Sequence, residues 1–173
     1  TLAQGHLMLP IAWTLRRWRD GDQVALAHAA NDERIARWMS DTWPSPYTLV
    51  EADWWVREGS GNGSTWALCL RDVPQGGVGA HPQTGFQRCN VEVGWWLAPA
   101  HWGQGLVPLA ARWLVEQALL NPEVTRVFAP IHAGNMPSMR AAEKIGMRLE
   151  SVQPRSAYKR GAVIDRHLFA LYR

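Results

Sequence analysis

Cysteine is scarce in this chain, and the two that occur lack the spacing of a metal site. Cys69 and Cys89 lie in apolar or mixed segments. Zinc ligands typically come in pairs a few residues apart, so we expect no bound metal. Nothing in the sequence suggests export, and we therefore expect reduced thiols in a cytoplasmic protein, with a disulfide between the two as the alternative.

Long apolar runs and basic clusters are also lacking. No stretch approaches the roughly eighteen uninterrupted apolar residues of a transmembrane helix, and no charged leader followed by an apolar run opens the chain. We therefore expect no membrane partner. The net charge of +3 and the pI near 9.2 are weakly basic, and Lys and Arg are scattered. Because nucleic-acid surfaces usually show a basic stripe, we expect no nucleic-acid partner. The weak positive charge suits a small anionic ligand.

Repeats, low-complexity tracts and long linkers are missing as well. With 173 residues, 47% hydrophobic and 19% charged, the sequence predicts a single domain, 1–173, large enough to bury a sizeable core. The unusual feature is eleven tryptophans. We expect most of them to lie in the core, where a large apolar ring is most easily accommodated.

The order of the predicted elements describes a mixed α/β (α+β) protein with one sheet. Periodicity and turn residues predict strands at Trp13–Arg17, Thr65–Arg71, Gly76–His81, Asn90–Leu97, Arg126–Ile131, Met147–Val152 and Val163–Tyr172. They predict helices from Asp20 (with Val24, Ala25, Ala27, Ala29 and Ala30 beneath it), from the cap Asp32 to about Met39, from the cap Thr48 through Arg57, from Leu106 to about Leu120, and from Pro137 to Ile145. Turn-rich segments lie at Asp41–Thr48, Gly59–Ser64 and Lys159–Gly161.

A glycine loop between a strand and a helix is the first chemical signal. The segment Pro99–Leu106 reads PAHWGQGL and directly precedes the amphipathic helix. Glycines let a backbone approach a ligand closely, and the first turn of a helix offers unpaired N–H groups at a positive dipole end. The pattern is typical of a phosphate or pyrophosphate site, but a G-x-G taken alone is weak evidence and favours a plain tight turn.

A second strand–loop–helix junction follows about thirty residues later. Asn135 is a candidate helix cap, Pro137 occupies a first-turn position that tolerates proline, and Ser138 lies in the same turn. Gly146 is a good residue to end this helix. Taken alone, the segment is also explained by a well-capped helix.

Together the two junctions resemble the GCN5-related N-acetyltransferase (GNAT) superfamily. The family's coenzyme loop, Q/R-x-x-G-x-G/A, matches WGQGLV at Trp102–Val107, and a Trp at its first place is typical of the ribosomal-protein N-terminal acetyltransferases. The family's N-x-x-S…E-K-x-G-F segment matches Asn135 to Met147, and its E-I-G-Y-W-L strand resembles EVGWWL at Glu92–Leu97. The resemblance covers most of the chain. It implies a mixed, mostly antiparallel sheet flanked by helices.

The resemblance also implies direct transfer of acetyl from acetyl-coenzyme A to an amine, without a metal. Backbone groups of the strand end would pair with the pantetheine arm, loop amides would bind the pyrophosphate, and Ser138 would protonate the departing thiolate. The residues assigned to the coenzyme in this way are Leu97, Ala98, Pro99, Trp102, Gly103, Gln104, Gly105, Leu106, Val107, Asn135 and Ser138. Val107 departs from the family's Gly or Ala, and Pro108 lacks an amide donor, which puts coenzyme affinity in doubt.

Glu92 is the candidate base, or the group that orients a water. It is polar in an apolar strand, and several branches of the family place a carboxylate there; an ion pair with an arginine on a neighbouring strand is the alternative. His101 is a weaker candidate. For the acceptor pocket we expect Trp43, Trp55 and Trp96, with ordinary packing as the alternative for each. Trp54 and Trp55 point about a hundred degrees apart on a helix, so we expect one of them to face solvent or a cleft.

Three functions remain open at this point. The first is acetylation of a protein or peptide N-terminus, and the second is acetylation of a small amine such as a polyamine, antibiotic or amino acid. The third is a non-catalytic sensor of acyl-coenzyme A, which the departure at Val107 and Pro108 keeps in play. We expect the chain to act as a monomer or homodimer.

Overall fold

The computed structural model describes residues 9–61 and 64–173. The helices are α1 (Gln23–Ala30), α2 (Glu33–Ala36), α3 (Leu49–Trp54), α4 (Leu106–Ala118) and α5 (Met136–Lys144). The strands are β1 (Trp13–Arg16), β2 (Thr65–Leu70), β3 (Val73–Pro82), β4 (Asn90–Leu97), β5 (Arg126–His132), β6 (Arg148–Lys159) and β7 (Ala162–Tyr172). Residues 1–8, which the expectation about a leader concerns, and residues 62–63 of the predicted break lie outside the described residues.

The seven strands form one sheet in the order β1-β2-β3-β4-β5-β7-β6. Antiparallel ladders join β1 to β2, β2 to β3, β5 to β7 and β7 to β6. By contrast, β4 and β5 run parallel, with Asn90–Glu92 opposite Arg126–Phe128. A parallel pair needs a long crossover, which α4 provides between these two strands. The predicted fold class, a mixed and mostly antiparallel sheet flanked by helices, is confirmed.

The described residues fall into two compact units. We call residues 9–79 with Trp95–Ala110 the N-terminal unit, and Ala80–Gly94 with Ala111–Arg173 the C-terminal unit. Each has its own buried apolar residues, for example Leu68 in the former and Val127 in the latter, both 0% exposed. That the chain forms one domain stays a prediction. Among the described helices, none is both long enough and apolar enough to cross a membrane.

Side-chain caps start α2 and α3 at the predicted residues. The Asp32 carboxylate accepts the N–H of Arg34 at 2.8 Å, and Thr48 forms a reciprocal capping box with Glu51. The predicted extension of α2 to about Met39 is wrong. After Ala36 the chain tightens into turns whose N–H groups bond to the carbonyl three residues back, and these do not continue an α-helix.

Helix α1 buries only part of the set that the sequence suggested: Ala29 and Ala30 are buried as expected, and Val24 is not. It begins at Gln23 rather than Asp20, and Val24, expected beneath it, is 70% exposed. The buried residues are Leu26, Ala29 and Ala30. Because their spacing of three and four residues places them on one side of a helix, they turn Val24 outward.

Two strands exceed their predicted length by more than one residue. β3 starts at Val73 instead of Gly76, and Pro74 lies near its start, where a strand tolerates proline. β6 runs to Lys159 instead of Val152, and its ladder with β7 is interrupted between Gln153 and Ala157. Proline, which cannot donate to a ladder, is tolerated at such an irregularity, and this one spans Pro154.

Most tryptophans are not fully buried, so that expectation is wrong. Only Trp13 and Trp18, each 8% exposed, are buried, and Trp54 and Trp102 are exposed. The partly exposed members are Trp38, Trp43, Trp55, Trp66, Trp95, Trp96 and Trp113. The indole ring is large and carries an N–H group, so it is often buried over most of its surface and seldom over all of it.

We predict that Gly76→Ala destabilises the protein. A Cβ at Gly76 would lie 2.6 Å from the carbonyl oxygen of Trp96 and 3.1 Å from the Cα of Leu97. Both are backbone atoms that cannot turn aside, so we expect the free energy of unfolding to fall by about 1–3 kcal/mol. Chemical denaturation followed by circular dichroism measures it.

The matched control is Gly94→Ala, also in a strand. No other described atom lies within 4 Å of a Cβ at Gly94, so its unfolding midpoint should stay close to that of the wild type. Equal losses in the two variants would contradict a steric origin.

Candidate functional site

The glycine loop is tied to the end of β4 by a tryptophan side chain. After Leu97 the chain makes one 3-10 turn at Pro99–His101. The indole Nε1 of Trp102 then donates a hydrogen bond to the carbonyl oxygen of Leu97 at 2.7 Å. This bond folds the start of the loop back onto the strand end, so the position of the loop is fixed before its glycines begin.

The two glycines of the loop have left-handed backbone conformations. Gly103 has a φ of +77° and Gly105 a φ of +74°, and no other described atom lies within 4 Å of a Cβ at either position. Glycine is required at both for backbone conformation rather than for packing within the chain. Residues 102–105 are exposed, which leaves the loop backbone open to a ligand.

Helix α4 begins directly after the loop, at the predicted residue. Leu106 is 1% exposed and anchors the helix start. The first N–H groups of an α-helix lack partners within the helix, and Pro108, in the first turn, supplies none. Open loop amides followed by a helix start form an arrangement that binds phosphate groups.

The strand-end backbone expected to pair with pantetheine already has partners within the chain. The N–H of Ala98 donates to the carbonyl of Gln75 at 2.8 Å, and its carbonyl accepts from His101 at 3.0 Å. The carbonyl of Pro99 accepts from the Trp102 amide at 3.2 Å, and that of Leu97 accepts from the Trp102 indole. A carbonyl oxygen can accept two hydrogen bonds, so these three carbonyls retain acceptor capacity.

The second junction lies between β5 and α5. Asn135, 8% exposed, caps α5: its Oδ1 accepts the N–H of Ser138 at 3.4 Å, and its own N–H donates to the carbonyl of His132 at 3.1 Å. The predicted cap is confirmed. Because Oδ1 is engaged, the side-chain NH₂ group is the part of Asn135 suited to a ligand. Ser138 is partly buried in the first turn.

The helix that follows ends as predicted. Gly146 has a φ of +94°, and its N–H donates to the carbonyl of Glu143 at 3.0 Å. A left-handed residue at this point satisfies carbonyls that the last turn leaves open. His132 is the last residue of β5. Burial lowers its pKa, and the charges of Lys159 and Arg166 add to the effect.

The two candidate bases have different surroundings. Glu92, partly buried on β4, lies opposite Phe128 in the parallel register. Within residues 9–61 and 64–173, no arginine forms an ion pair with Glu92; Arg126 on β5 pairs with Glu150 instead. His101 is held in place, since its Nε2 lies 3.1 Å from Gln75 Oε1 and its ring packs edge-on against the ring of Trp13.

The three tryptophans expected at the acceptor side lie on one aromatic cluster. Trp43 contacts Trp96 with ring centroids 5.6 Å apart and Tyr47 at 5.2 Å. Trp55 contacts the buried Trp18 at 6.3 Å. All three expected residues are partly exposed and pack against the same buried core cluster, so the structure brings them together. We call these five residues the aromatic cluster.

Two members of the aromatic cluster, Trp18 and Tyr47, were not predicted from the sequence. Neither stands in a motif, and their proximity to Trp43 and Trp96 arises from long-range packing. Burial, together with the charge of Glu51, raises the pKa of Tyr47 to about 12, so its hydroxyl stays protonated at neutral pH. The indole nitrogens of Trp18 and Trp43 are buried and have no hydrogen-bond partner among the described residues.

Two glycines leave room for rings of the aromatic cluster. A Cβ at Gly77 would lie 2.8 Å from the Trp96 indole nitrogen, and one at Gly59 would lie 2.8 Å from each of the Trp54 and Trp55 rings. Helix α3 passes into a π-helical turn at Trp55–Gly59, a distortion frequent at functional sites. As expected, one of the adjacent pair faces solvent: Trp54 is 56% exposed and Trp55 is partly buried.

The described thiols and acids give no metal centre. In the part of the chain that the structure describes, no three His, Cys, Asp or Glu side chains are grouped to hold a metal ion. Both cysteines are free, and burial raises the pKa of the Cys69 thiol to about 11.

The chain is similar to a known protein family and to known proteins. Residues 13–148 match the model of the "Acetyltransferase (GNAT) domain". The chain is 31% identical over 137 residues to the uncharacterized protein YkkB of Bacillus subtilis, covering 77% of this chain and 80% of that protein. It is 25% identical over 161 residues to the putative ribosomal N-acetyltransferase YdaF of the same organism, covering 88% and 86%.

Among solved structures, Mycobacterium smegmatis RimJ in complex with CoA-disulfide has the same fold. Its TM-score is 0.80 at 19% identity, and the match covers 92% of this chain and 81% of that one. At this level of identity the likeness concerns the fold.

We predict that Trp102→Phe loosens the glycine loop. The substitution keeps an aromatic ring and removes the N–H that bonds to Leu97, so the free energy of unfolding should fall by about 0.5–1.5 kcal/mol in chemical denaturation. The control is Trp54→Phe, since Trp54 is similarly exposed and has no hydrogen bond from its indole nitrogen among the described residues. If the two variants lose the same stability, the indole bond contributes nothing specific.

Proposed function

The chain belongs to the GNAT family of N-acetyltransferases, and from this premise we propose that it transfers acetyl from acetyl-coenzyme A to a protein or peptide N-terminal α-amino group. Transfer of acetyl from the coenzyme to an amine is general to the family. The finer part of the proposal concerns the acceptor and the residues that act in this chain.

The observation that carries the proposal is the open, left-handed loop that leads into α4. Amides of Gly103 to Val107 bind the pyrophosphate of the coenzyme, and no side chain at Gly103 or Gly105 obstructs the approach. The donor set fits a diphosphate because it consists of backbone N–H groups at a positive helix end. On the C-terminal unit, the side-chain NH₂ of Asn135 donates to the pantetheine.

The coenzyme supplies an acetyl group activated as a thioester. The neutral amine attacks the carbonyl carbon, a C–N bond forms and the C–S bond breaks. Ser138 donates its hydroxyl proton to the departing thiolate, which is general-acid catalysis. Glu92 takes the proton of the attacking amine, directly or through a water that it orients. The partly buried carboxylate of Glu92, without an ion-pair partner in the described chain, supports this role.

The chemistry of the amine favours an N-terminus as acceptor. An ammonium cannot attack, and an α-amino group with a pKa near 8 is about one-tenth neutral at pH 7, whereas a lysine amine near 10.4 is neutral to only a few parts in ten thousand. A single carboxylate such as Glu92 therefore suffices for an N-terminus. The name of the relative YdaF, a putative ribosomal N-acetyltransferase, points to the same acceptor class.

The aromatic cluster supplies an apolar wall for the acceptor through Trp43, Trp55 and Trp96. A polyamine, the small-amine alternative, would instead need several available carboxylates. Two of the acids near Trp43 and Trp55 in the sequence already have partners. Glu51 takes part in the capping box, and Asp53 accepts a hydrogen bond from the Arg57 guanidinium at 2.7 Å. These bonds argue for an acceptor with one amino group at the site of attack.

We predict that the protein binds acetyl-coenzyme A in calorimetry and releases thiol with peptide amines. Peptides with free N-termini should outperform N-blocked, lysine-containing peptides and polyamines, because more of their amine is neutral. Thiol release across such a panel measures this. Preference for a polyamine would favour the small-amine alternative, and tight coenzyme binding without turnover would favour the sensor that Val107 and Pro108 keep open.

The same assay tests the general acid. Ser138→Ala should lower kcat by about tenfold or more and leave the calorimetric affinity for acetyl-coenzyme A nearly unchanged, while Ser138→Thr, which keeps a hydroxyl, should retain more activity. An unaltered kcat in Ser138→Ala would remove Ser138 from the mechanism.

We predict that Trp43→Ala raises the KM for the acceptor by about tenfold and leaves the KM for acetyl-coenzyme A within about twofold. The ring contributes apolar area to the acceptor wall, and loss of such area weakens acceptor binding. Phe86→Ala is the control, because Phe86 is 91% exposed and is not among the residues proposed for the site. An unchanged acceptor KM in folded Trp43→Ala would count against the wall.

A further inference from the structure

The glycine loop carries no lysine or arginine of its own. From Ala98 to Ala111 the sequence contains neither Lys nor Arg, and Pro108 removes one amide from the first turn of α4. A diphosphate is strongly anionic, and neutral amides alone offer it less stabilisation than amides combined with a charged donor. A cation supplied by another element would complete such a site.

Arg34 on α2 lies against the first residue of this loop. Its guanidinium carbon is 5.9 Å from the centroid of the Trp102 ring, and both residues belong to the N-terminal unit. Because the Trp102 indole bonds to the Leu97 carbonyl, the ring that Arg34 faces is held at a fixed position. The next residue in the chain is Gly103, the first glycine of the loop.

An ion pair orients the Arg34 guanidinium and leaves part of it for a ligand. Asp32 accepts from Nε at 3.0 Å and from Nη2 at 2.8 Å, so one edge of the group is occupied. No hydrogen bond from Nη1 is found among the described residues, and the side chain is 65% exposed. Arginine presents five N–H donors in a planar fork suited to phosphate, and the Nη1 donors remain available.

Two other arginines of the N-terminal unit are directed elsewhere. Arg37, three residues further along, lies over the ring of Trp38 at 4.8 Å. Arg16 pairs with Asp22 and Asp72. Within residues 9–61 and 64–173, the arginine found in contact with a residue of the loop is Arg34.

We propose that Arg34 binds the pyrophosphate of the coenzyme through its Nη1 hydrogens and supplies the positive charge that the loop lacks. The proposal rests on the function proposed above. It assigns Arg34 to coenzyme binding, a role that no motif in the sequence indicated.

Calorimetry with two ligands tests the assignment on the full chain. Coenzyme A carries a pyrophosphate and a 3′-phosphate, and dephospho-coenzyme A carries the pyrophosphate alone. Arg34→Gln should raise the Kd for both ligands by about tenfold, in line with the loss of a hydrogen bond to a charged group. Arg34→Lys, which keeps the charge without the fork, should lie between Arg34→Gln and the wild type.

Arg37→Gln is the matched control, since it removes the same charge from the same segment and should change Kd by less than about twofold. Raising the salt concentration should weaken wild-type binding more than binding by Arg34→Gln, because screening acts on the charge that the variant has lost. Unaltered far-UV circular dichroism confirms that the variants fold.

Each other outcome overturns the assignment in a distinguishable way. Wild-type Kd values in Arg34→Gln would exclude Arg34 from the coenzyme site and leave the proposed function intact. A loss confined to coenzyme A would place Arg34 on the 3′-phosphate instead of the pyrophosphate. Absence of coenzyme binding by the wild type would overturn the proposed function itself, and this inference with it.

Discussion

The left-handed backbone of Gly103 and Gly105 is the constraint on which the rest of the candidate site depends. These two residues turn the chain from the end of β4 into the start of α4, and any residue other than glycine would be strained in this backbone conformation. The Trp102 indole fixes where this turn begins, and buried Leu106 fixes where it ends. Between the two anchors, residues 103–105 are exposed, so the backbone there is open to a ligand. The chemistry follows from this geometry, because exposed N–H groups at a helix start bind anions.

The parts of the structure that local rules decide were predicted well from the sequence. Thr48, Asp32 and Asn135 cap the helices that they were expected to cap, because a side-chain acceptor two or three residues from an unpaired N–H acts within one turn. Gly146 ends α5 for a similarly local reason. The motif spacing that resembles the acetyltransferase family consists of such local features, which is why family and fold could be inferred together.

The parts that long-range packing decides were predicted poorly. Val24 was placed beneath α1, but the choice of buried face depends on what the helix packs against, and Leu26 takes that place. The tryptophans were expected inside, yet most lie at the edge of the core with part of the ring outward. Trp18 and Tyr47 join the aromatic cluster through contacts that no local pattern encodes, and the same holds for Arg34 beside Trp102.

The uneven placement of tryptophan has a spectroscopic consequence. Of the eleven in the chain, Trp113 alone belongs to the C-terminal unit, and the other ten belong to the N-terminal unit. Intrinsic fluorescence therefore reports almost entirely on one unit, whereas the far-ultraviolet signal arises from the backbone of both. Coincidence of the two signals during unfolding is a test of cooperativity. This protein thus carries a natural probe of whether its two units unfold together or in sequence.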